Sequence, residues 1–446
     1  MRRSWMADGA GDIARLLIKF SLPLIGSGIL QQLYSWADAF IVGNIEGEAA
    51  LAAVGATTAV VNFYVTAITG FTLGLSILFA QKFGQGATEE LAKILSTFSA
   101  VLGGVFLLLA GVGMWTAGPL LRFLQTTPDT LPLAEDYLQA VSPGLPFLAV
   151  YNVYGAALRG IGDSRAPFYA VCISSAVNIL LDILFVAALG WGVTGAAVAT
   201  VVSQAAMAAF LWIYAAKKYS ILRLRPGEGL VDRAALAHGC RLGIPPMVQA
   251  SVSSAGSLVL QNFMNGFGTQ TVAAVTTAYR VDSVVMVPIL NLGSGISTLV
   301  AQSCGAGEES RGRKIGMVGA VLMAGVALAL TGCVILAGEG LIAMFGAGEE
   351  AIRIGGEFFR TIAGFYLVYG IATVLRSYLE GMGDVLYSSV AGIASLALRI
   401  LASYAMAALL GNLVIAYAEG LSWVALLALY AARMVWKKRR GRAPRR

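Results

Sequence analysis

Asp38 and Asp182 each interrupt a long run of apolar residues, and each has polar neighbours at helical spacing. Gln31, Tyr34 and Asp38 fall at i, i+3 and i+7, one stripe of a helix, and Asn178–Asp182 and Thr200–Gln204 are both i, i+4 pairs. Asn152 lies in a fourth apolar run. An ionised carboxylate at the centre of a bilayer costs about 2.5–3.5 kcal/mol on insertion scales, so each acid needs a partner or a function. Two acids, two amides and a hydroxyl have two chemical uses. They can ligate a hard cation such as Na⁺ through oxygens, with Asp38, Asn178 and Asp182 as the first ligands. They can also hold protons, because burial beside a second carboxyl favours the neutral form. The plainer reading is a polar knot that only fixes helix packing. The two acids place ion handling ahead of it.

The runs that carry these residues recur along the whole chain. Of its 446 residues 58% are hydrophobic and 12% charged, more apolar surface than a soluble fold can hide. Apolar segments of about 20 residues, the span of a bilayer core, number twelve. The first lies near 14–41, the fourth near 133–157, the fifth near 166–189, the sixth near 193–216, the seventh near 241–266, the tenth near 354–378 and the twelfth near 412–436. The fold class expected is an all-α integral membrane protein of twelve transmembrane helices.

The chain also repeats. Ala52-Ala53-Val54 recurs 221 positions on as Ala273-Ala274-Val275; Ala80-Gln81-x-x-Gly84-x-Gly86 recurs as Ala301-Gln302-x-x-Gly305-x-Gly307, and Gly160-x-Gly162-Asp163 as Gly381-x-Gly383-Asp384. Six spans per half is an even number, so the halves are parallel repeats related by an axis along the membrane normal, as in transporters. The expected organisation is a first lobe over 1–216, a cytoplasmic linker over 217–240 broken by Pro226-Gly227, a second lobe over 241–436 and a basic cytoplasmic tail over 437–446. Two such lobes would leave a cleft that opens alternately to either side. Pro23 and Pro245-Pro246 interrupt the first and seventh spans, Pro143 and Pro146 the fourth and Pro288 the eighth; each removes a helix bond and permits a bend.

The net charge of +7 could suggest nucleic acid, but its distribution points elsewhere. Most Lys and Arg fall at the termini and even-numbered loops, including Arg2, Arg3, Lys217, Lys218, Arg311, Arg313, Lys314 and the tail from Lys437. That is the positive-inside pattern, and it puts both ends in the cytoplasm. The first apolar segment does not read as a cleavable signal. Cys172, Cys240, Cys304 and Cys333 have neither metal nor redox spacing, and the lone His238 is expected to be solvated. No phosphate loop or catalytic motif is present, so an enzyme is not expected and ATP is not the energy source on this chain.

The second half lacks the acids of the first. The shift maps Asn178 to Arg399, Asp182 to Ser403 and Thr200 to Leu421. Its polar residues are Gln261, Asn262, Asp282, Asn291, Arg280 and Arg399. Asp282 and Arg280 are expected near the outer end of the eighth span, where they can snorkel or pair, and Arg399 needs a partner that the sequence does not name. Arg159 and Glu380 occupy matching positions and are expected to be two solvated helix ends, with a cytoplasmic gate pair as the sharper alternative.

The motifs in their doubled order resemble the multidrug and toxic compound extrusion (MATE) family. They are Tyr34-x-x-x-Asp38, Val42-Gly43, Ala50-Leu51-Ala52-Ala53-Val54-Gly55, Leu158-Arg159-Gly160-x-Gly162-Asp163, Ala301-Gln302-x-x-Gly305-Ala306-Gly307 and Glu380-Gly381-x-Gly383-Asp384. Some bacterial members keep an acidic site in helices 7 and 10. This chain has Gln261 and Asn262 in helix 7 and, beyond Glu357 in its first turn, no acid inside the predicted helix 10, and is similar instead to the DinF-like branch, whose polar cluster lies in the first half. The resemblance implies coupling-ion positions at Asp38, Asn152, Asn178, Asp182 and Thr200. It implies antiport, H⁺ or Na⁺ moving in as an amphipathic, often cationic organic compound moves out, with no other cofactor. Substrate-cleft candidates are Tyr34, Gln31, Gln204, Gln261, Asn262 and Arg399. The expected setting is the cell's inner (plasma) membrane, as a monomer with no nucleic-acid partner. Two alternatives remain: a lipid-linked oligosaccharide flippase of the same superfamily, and a receptor or scaffold that transports nothing.

Overall fold

The computed structural model describes residues 9–223, 230–344 and 348–440, without the side chains of residues 38, 39 and 440. Among the described residues the chain is helical throughout. Long helices form where apolar runs are unbroken: α1 (Ala10–Glu46), α2 (Glu48–Gln85) and α3 (Thr88–Phe123). The fourth predicted span is split by Ser142-Pro143-Gly144 into α4 (Leu131–Val141) and α5 (Leu145–Gly160), because proline offers no N–H to the preceding turn. The fifth is α6 (Arg165–Asp182), continued over Ile183–Ala188 by a wider π-helical turn, and the sixth is α7 (Gly192–Lys218).

In the second half α8 (Arg233–Asn265) begins well before residue 241, so the last third of the predicted linker, residues 233–240, is helix. Residues 224–229, with Pro226-Gly227, lie outside the described residues. The eighth span divides into α9 (Thr269–Val285) and α10 (Val287–Gly305), with Pro288 opening the second piece. Then come α11 (Glu309–Ala343), α12 (Glu349–Ala363), α13 (Tyr366–Gly381), α14 (Val385–Leu410) and α15 (Val414–Arg440). The bend of 49° between α12 and α13 falls at Gly364-Phe365, where no proline warned of it. The helix α15 carries the start of the basic tail to Arg440; residues 441–446 lie outside the described ones.

Among the described residues eight helical stretches, one of them α9 with α10, are long and apolar enough to cross a bilayer, and α12 with α13 would make a ninth. One of the eight, Val385–Arg439, is 55 residues long and holds both α14 and α15, twice the length one crossing needs. The outward faces are apolar: Leu336 is 89% and Trp115 85% exposed, as suits side chains in contact with lipid.

The chain forms two compact units, Gly26–Met247 and Met1–Ile25 with Val248–Arg446. The boundaries fall inside α1 and α8, two residues after Pro23 and one after Pro246, rather than within residues 217–240. Packing explains this. Ile13 and Leu17 of α1 are buried in the core of the C-terminal unit with Ile296, Val300 and Ile315. Conversely, α8 before its prolines lies against α2: a Cβ at Gly74 would meet the Leu242 carbonyl oxygen at 2.1 Å. Only glycine permits that approach.

Candidate functional site

In the N-terminal unit α6 packs along α7, and α7 against α5. On α6, Ser175, Asn178 and Asp182 are spaced i, i+3, i+7 and all turn inward; Asn178 is 1% and Asp182 0% exposed. The π-helical turn starts immediately after Asp182. Such turns are frequent at functional positions because they re-aim side chains within an otherwise regular helix. Asn178 makes no hydrogen bond through either amide atom, and neither does the Ser175 hydroxyl. A buried amide left this way costs about 1–3 kcal/mol, so the stripe is poised for a ligand or for rearrangement.

The helices packed nearby carry the other candidates. Asn152 on α5 donates its amide to Leu148 O at 2.9 Å, which leaves its carbonyl oxygen as acceptor. Thr200 on α7 donates to Ala196 O at 3.0 Å and likewise keeps acceptor capacity. One turn on, the Gln204 oxygen is buried without a partner beside the α4–α5 break; a Cβ at Gly144 would lie 2.1 Å from it. Taken as candidates, these side chains offer oxygen ligands, the chemistry that suits Na⁺ or a proton and not a soft metal. Among the described residues no three His, Cys, Asp or Glu side chains gather as metal ligands.

Asp38 lies in α1, and its side chain is outside the described ones. Its depth follows from the backbone. A Cβ at Gly26 would meet the Phe168 ring at 3.0 Å, and one at Gly192 would meet the Glu46 carboxylate at 3.2 Å. So α1 runs parallel to α6 from Phe168 to beyond its end. At 1.5 Å per residue Asp38 sits about 18 Å past the Gly26 contact, while Asn178 and Asp182 sit about 15 and 21 Å past Phe168. Its backbone is therefore level with the α6 stripe. Of the other candidates, Tyr34 is half-buried, Gln31 and Asn262 are exposed, and Gln261 donates to Asn265 Oδ1 at 3.2 Å.

The C-terminal unit holds a network that sequence reasoning missed. Arg399 on α14 donates to Glu419 Oε2 on α15 at 2.9 Å and to the Tyr279 hydroxyl on α9 at 2.8 Å. Tyr279 in turn donates to Glu419 Oε2 at 3.2 Å, and Tyr366 on α13 donates to Asp282 Oδ1 at 2.6 Å. Arg280 is exposed, whereas Asp282 faces the core and takes the pairing alternative with Tyr366, because two steps along a helix turn the side chain to the opposite side. Glu419 supplies the missing partner of Arg399. The signal was available, since Glu419 is an acid well inside the twelfth predicted span.

A finer register relates the two sites. Ala199 and Ser203 recur as Ala418 and Ser422, 219 positions on rather than 221. Two residues are thus lost between α14 and α15, and Glu419, not Leu421, stands where Thr200 stands. The same 219 links Tyr214 to Arg433 and Lys218 to Lys437. These residues bind the Gly-x-Gly-Asp turns. Asp163 accepts from Tyr214 at 2.9 Å, Tyr219 at 2.7 Å and Lys218 at 3.2 Å, and Asp384 from Arg433 and Lys437 at 2.8 Å each. Burial pushes the Asp163 carboxyl up, but the hydrogen bonds of Tyr219, Tyr214 and the Ala166 amide, with the Lys218 charge, hold it below the usual carboxylate range. Burial likewise opposes, and Arg433 and Lys437 outweigh, at Asp384. Glu380 is not a solvated helix end: it is 3% exposed and accepts from Arg376 at 2.7 Å and Ser388 at 3.0 Å.

Comparison with known proteins gives the same doubling. The MatE family profile matches residues 23–184 and again 245–405, and the profile of lipid II flippase MurJ matches 135–237. The chain is 28% identical over 445 residues to the probable multidrug resistance protein YoeA of Bacillus subtilis, covering 96% of this chain and 95% of that one. It is 27% identical over 376 residues to the probable multidrug resistance protein YpnP of the same species, covering 84% of each. Its fold matches a crystal structure of MATE in the bent conformation with a TM-score of 0.88, at 21% identity over 97% of this chain and 96% of the other.

Proposed function

Because this chain belongs to the multidrug and toxic compound extrusion (MatE) family, we propose that it is a secondary antiporter of the DinF-like branch. It exports amphipathic, often cationic organic compounds in exchange for H⁺ or Na⁺, by alternating access. The coupling ion is held in the N-terminal unit by Asp182, Asn178, Asn152 and Thr200, with Asp38 at the same depth on α1. One observation carries this reading: the buried α6 stripe, in which Asn178 has two unbonded amide atoms one turn from the fully buried Asp182. A polar knot that served only packing would satisfy its own amides.

In operation the Asp182 carboxylate supplies the charge, and the Asn178, Asn152 and Thr200 oxygens supply neutral ligands. When the ion leaves, the Asn178 amide can turn to donate to a carboxylate. Loading therefore changes which bonds hold α6, and the π-helical turn after Asp182 gives the change room. Coupling follows only if ion and substrate prefer different states. Both termini are assigned to the cytoplasm by the charge pattern. The names of the B. subtilis relatives support organic-compound export as the cargo class.

The flippase alternative has one supporting observation, the MurJ profile match over 135–237. Against it, Arg399, the cation expected to be central, is already neutralised by Glu419. The test is transport from vesicles of purified protein with a pH gradient or a Na⁺ gradient imposed separately. Export of an organic cation driven by one of them supports antiport. Lipid-linked sugar translocation without organic-cation export would replace it with the flippase.

A further inference from the structure

We propose that Arg399 is a tethered cation: its guanidinium permanently fills, in the C-terminal unit, the position where the N-terminal unit holds its exchangeable ion, and so closes this copy of the site to the ion. The inference rests on the N-terminal ion site proposed above. It begins from the two registers of the repeat. A shift of 221 places Arg399 at Asn178, and the shift of 219 that relates Tyr214 to Arg433 and Lys218 to Lys437, the residues holding the Asp163 and Asp384 turns, places Glu419 at Thr200. In the N-terminal unit these two positions offer neutral oxygen ligands on adjacent helices, α6 and α7. In the C-terminal unit the corresponding helices, α14 and α15, carry a cation and an anion 2.9 Å apart.

The surroundings complete the substitution. Arg399 also donates to the Tyr279 hydroxyl at 2.8 Å, and that hydroxyl donates to Glu419. The second acid nearby, Asp282, takes a 2.6 Å bond from Tyr366. A guanidinium keeps its charge under all ordinary conditions, and its stem cannot leave the helix. A mobile cation has neither constraint. Two copies of one ancestral site thus diverged in opposite directions: one kept its ligands and exchanges its cation, the other built the cation into the chain. This accounts for a coupling site in one unit only, although both units bury acids. Removing the guanidinium should reopen the second copy, because buried carboxylates left alone recruit a cation.

The test uses the full chain in detergent at fixed pH, in an Asp182→Asn background that takes the carboxylate out of the N-terminal site. Thermal unfolding is followed while NaCl or methylguanidinium chloride replaces N-methylglucamine chloride at constant ionic strength. Asp182→Asn alone is expected to show no cation-specific shift. Adding Arg399→Met should produce a saturable rise in Tm, on the order of 2 °C or more. Should that protein not fold, Arg399→Met with Glu419→Gln removes the uncompensated acid, keeps Asp282 and should show the same rise. If the variants lacking Arg399 respond no differently from Asp182→Asn alone, the tethered cation is wrong. The N-terminal reading is judged by a separate measurement: gradient-driven export at the native rate when Asp182→Asn is made in the otherwise native chain overturns that reading.

Discussion

Glu419→Gln should destabilise the protein far more than the loss of one hydrogen bond. The substitution keeps the shape and removes the charge opposite Arg399. The pair is 2.9 Å apart, with side chains 20% and 10% exposed, so little water replaces the lost partner. Breaking one side of a fully buried pair costs about 3–5 kcal/mol; the residual exposure of Arg399 lowers the expectation to about 2–4 kcal/mol. Arg399→Met should cost a similar amount, because Glu419 is then left without its cation. The double variant removes both charges and should return to within about 1 kcal/mol of the native chain, since well-packed neutral replacements of buried pairs are often neutral. The assay is unfolding of the four proteins in one detergent, read as a double-mutant cycle. Strictly additive losses would refute the reasoning, because they would mean that the two side chains do not depend on each other.

The remaining expectations are more local. Gly144→Ala should destabilise by about 1–3 kcal/mol through overpacking, because its Cβ would lie 2.1 Å from Gln204 Oε1, and Gln204→Ala should recover most of the loss in thermal unfolding. Asp163 and Asp384 have folded values below the usual carboxylate range, so their contribution is complete above that range and is lost as pH falls through the depressed values. Asp163→Asn with Asp384→Asn should therefore flatten the acid limb of a Tm-against-pH curve, and an unchanged limb would contradict the assignment. In a chain freed of native cysteines, Glu48→Cys should label from outside and Ser310→Cys from the cytoplasm. The reverse pattern would sink the proposed orientation.

Much of the fold was legible because membrane solvation is a strong rule. Every unbroken apolar run of bilayer length became a helix, and each split at Pro143 and Pro288 was visible as a missing donor. The bend at Gly364-Phe365 was not, because no residue there forbids a helix and packing alone decides. Sequence distance also hid the exchange of half-helices at α1 and α8, since which core Ile13 and Leu17 join depends on contacts hundreds of residues away. In the N-terminal unit, helical spacing correctly put Asn178 and Asp182 on one buried stripe, a purely local matter. In the C-terminal unit the same approach failed. Arg399, Glu419, Tyr279 and Tyr366 come from four helices, and a two-residue slip in the repeat concealed that Glu419 matches Thr200.

The central claim is that the coupling ion acts through α6 of the N-terminal unit. It is tested most directly by Asp182→Asn in vesicles, comparing two modes of movement for one organic cation. Gradient-driven export should be lost, while exchange of labelled for unlabelled compound, which needs no ion gradient, should continue. That pattern would place the defect in coupling rather than in folding or substrate binding. Gradient-driven export at the native rate in Asp182→Asn would contradict the account.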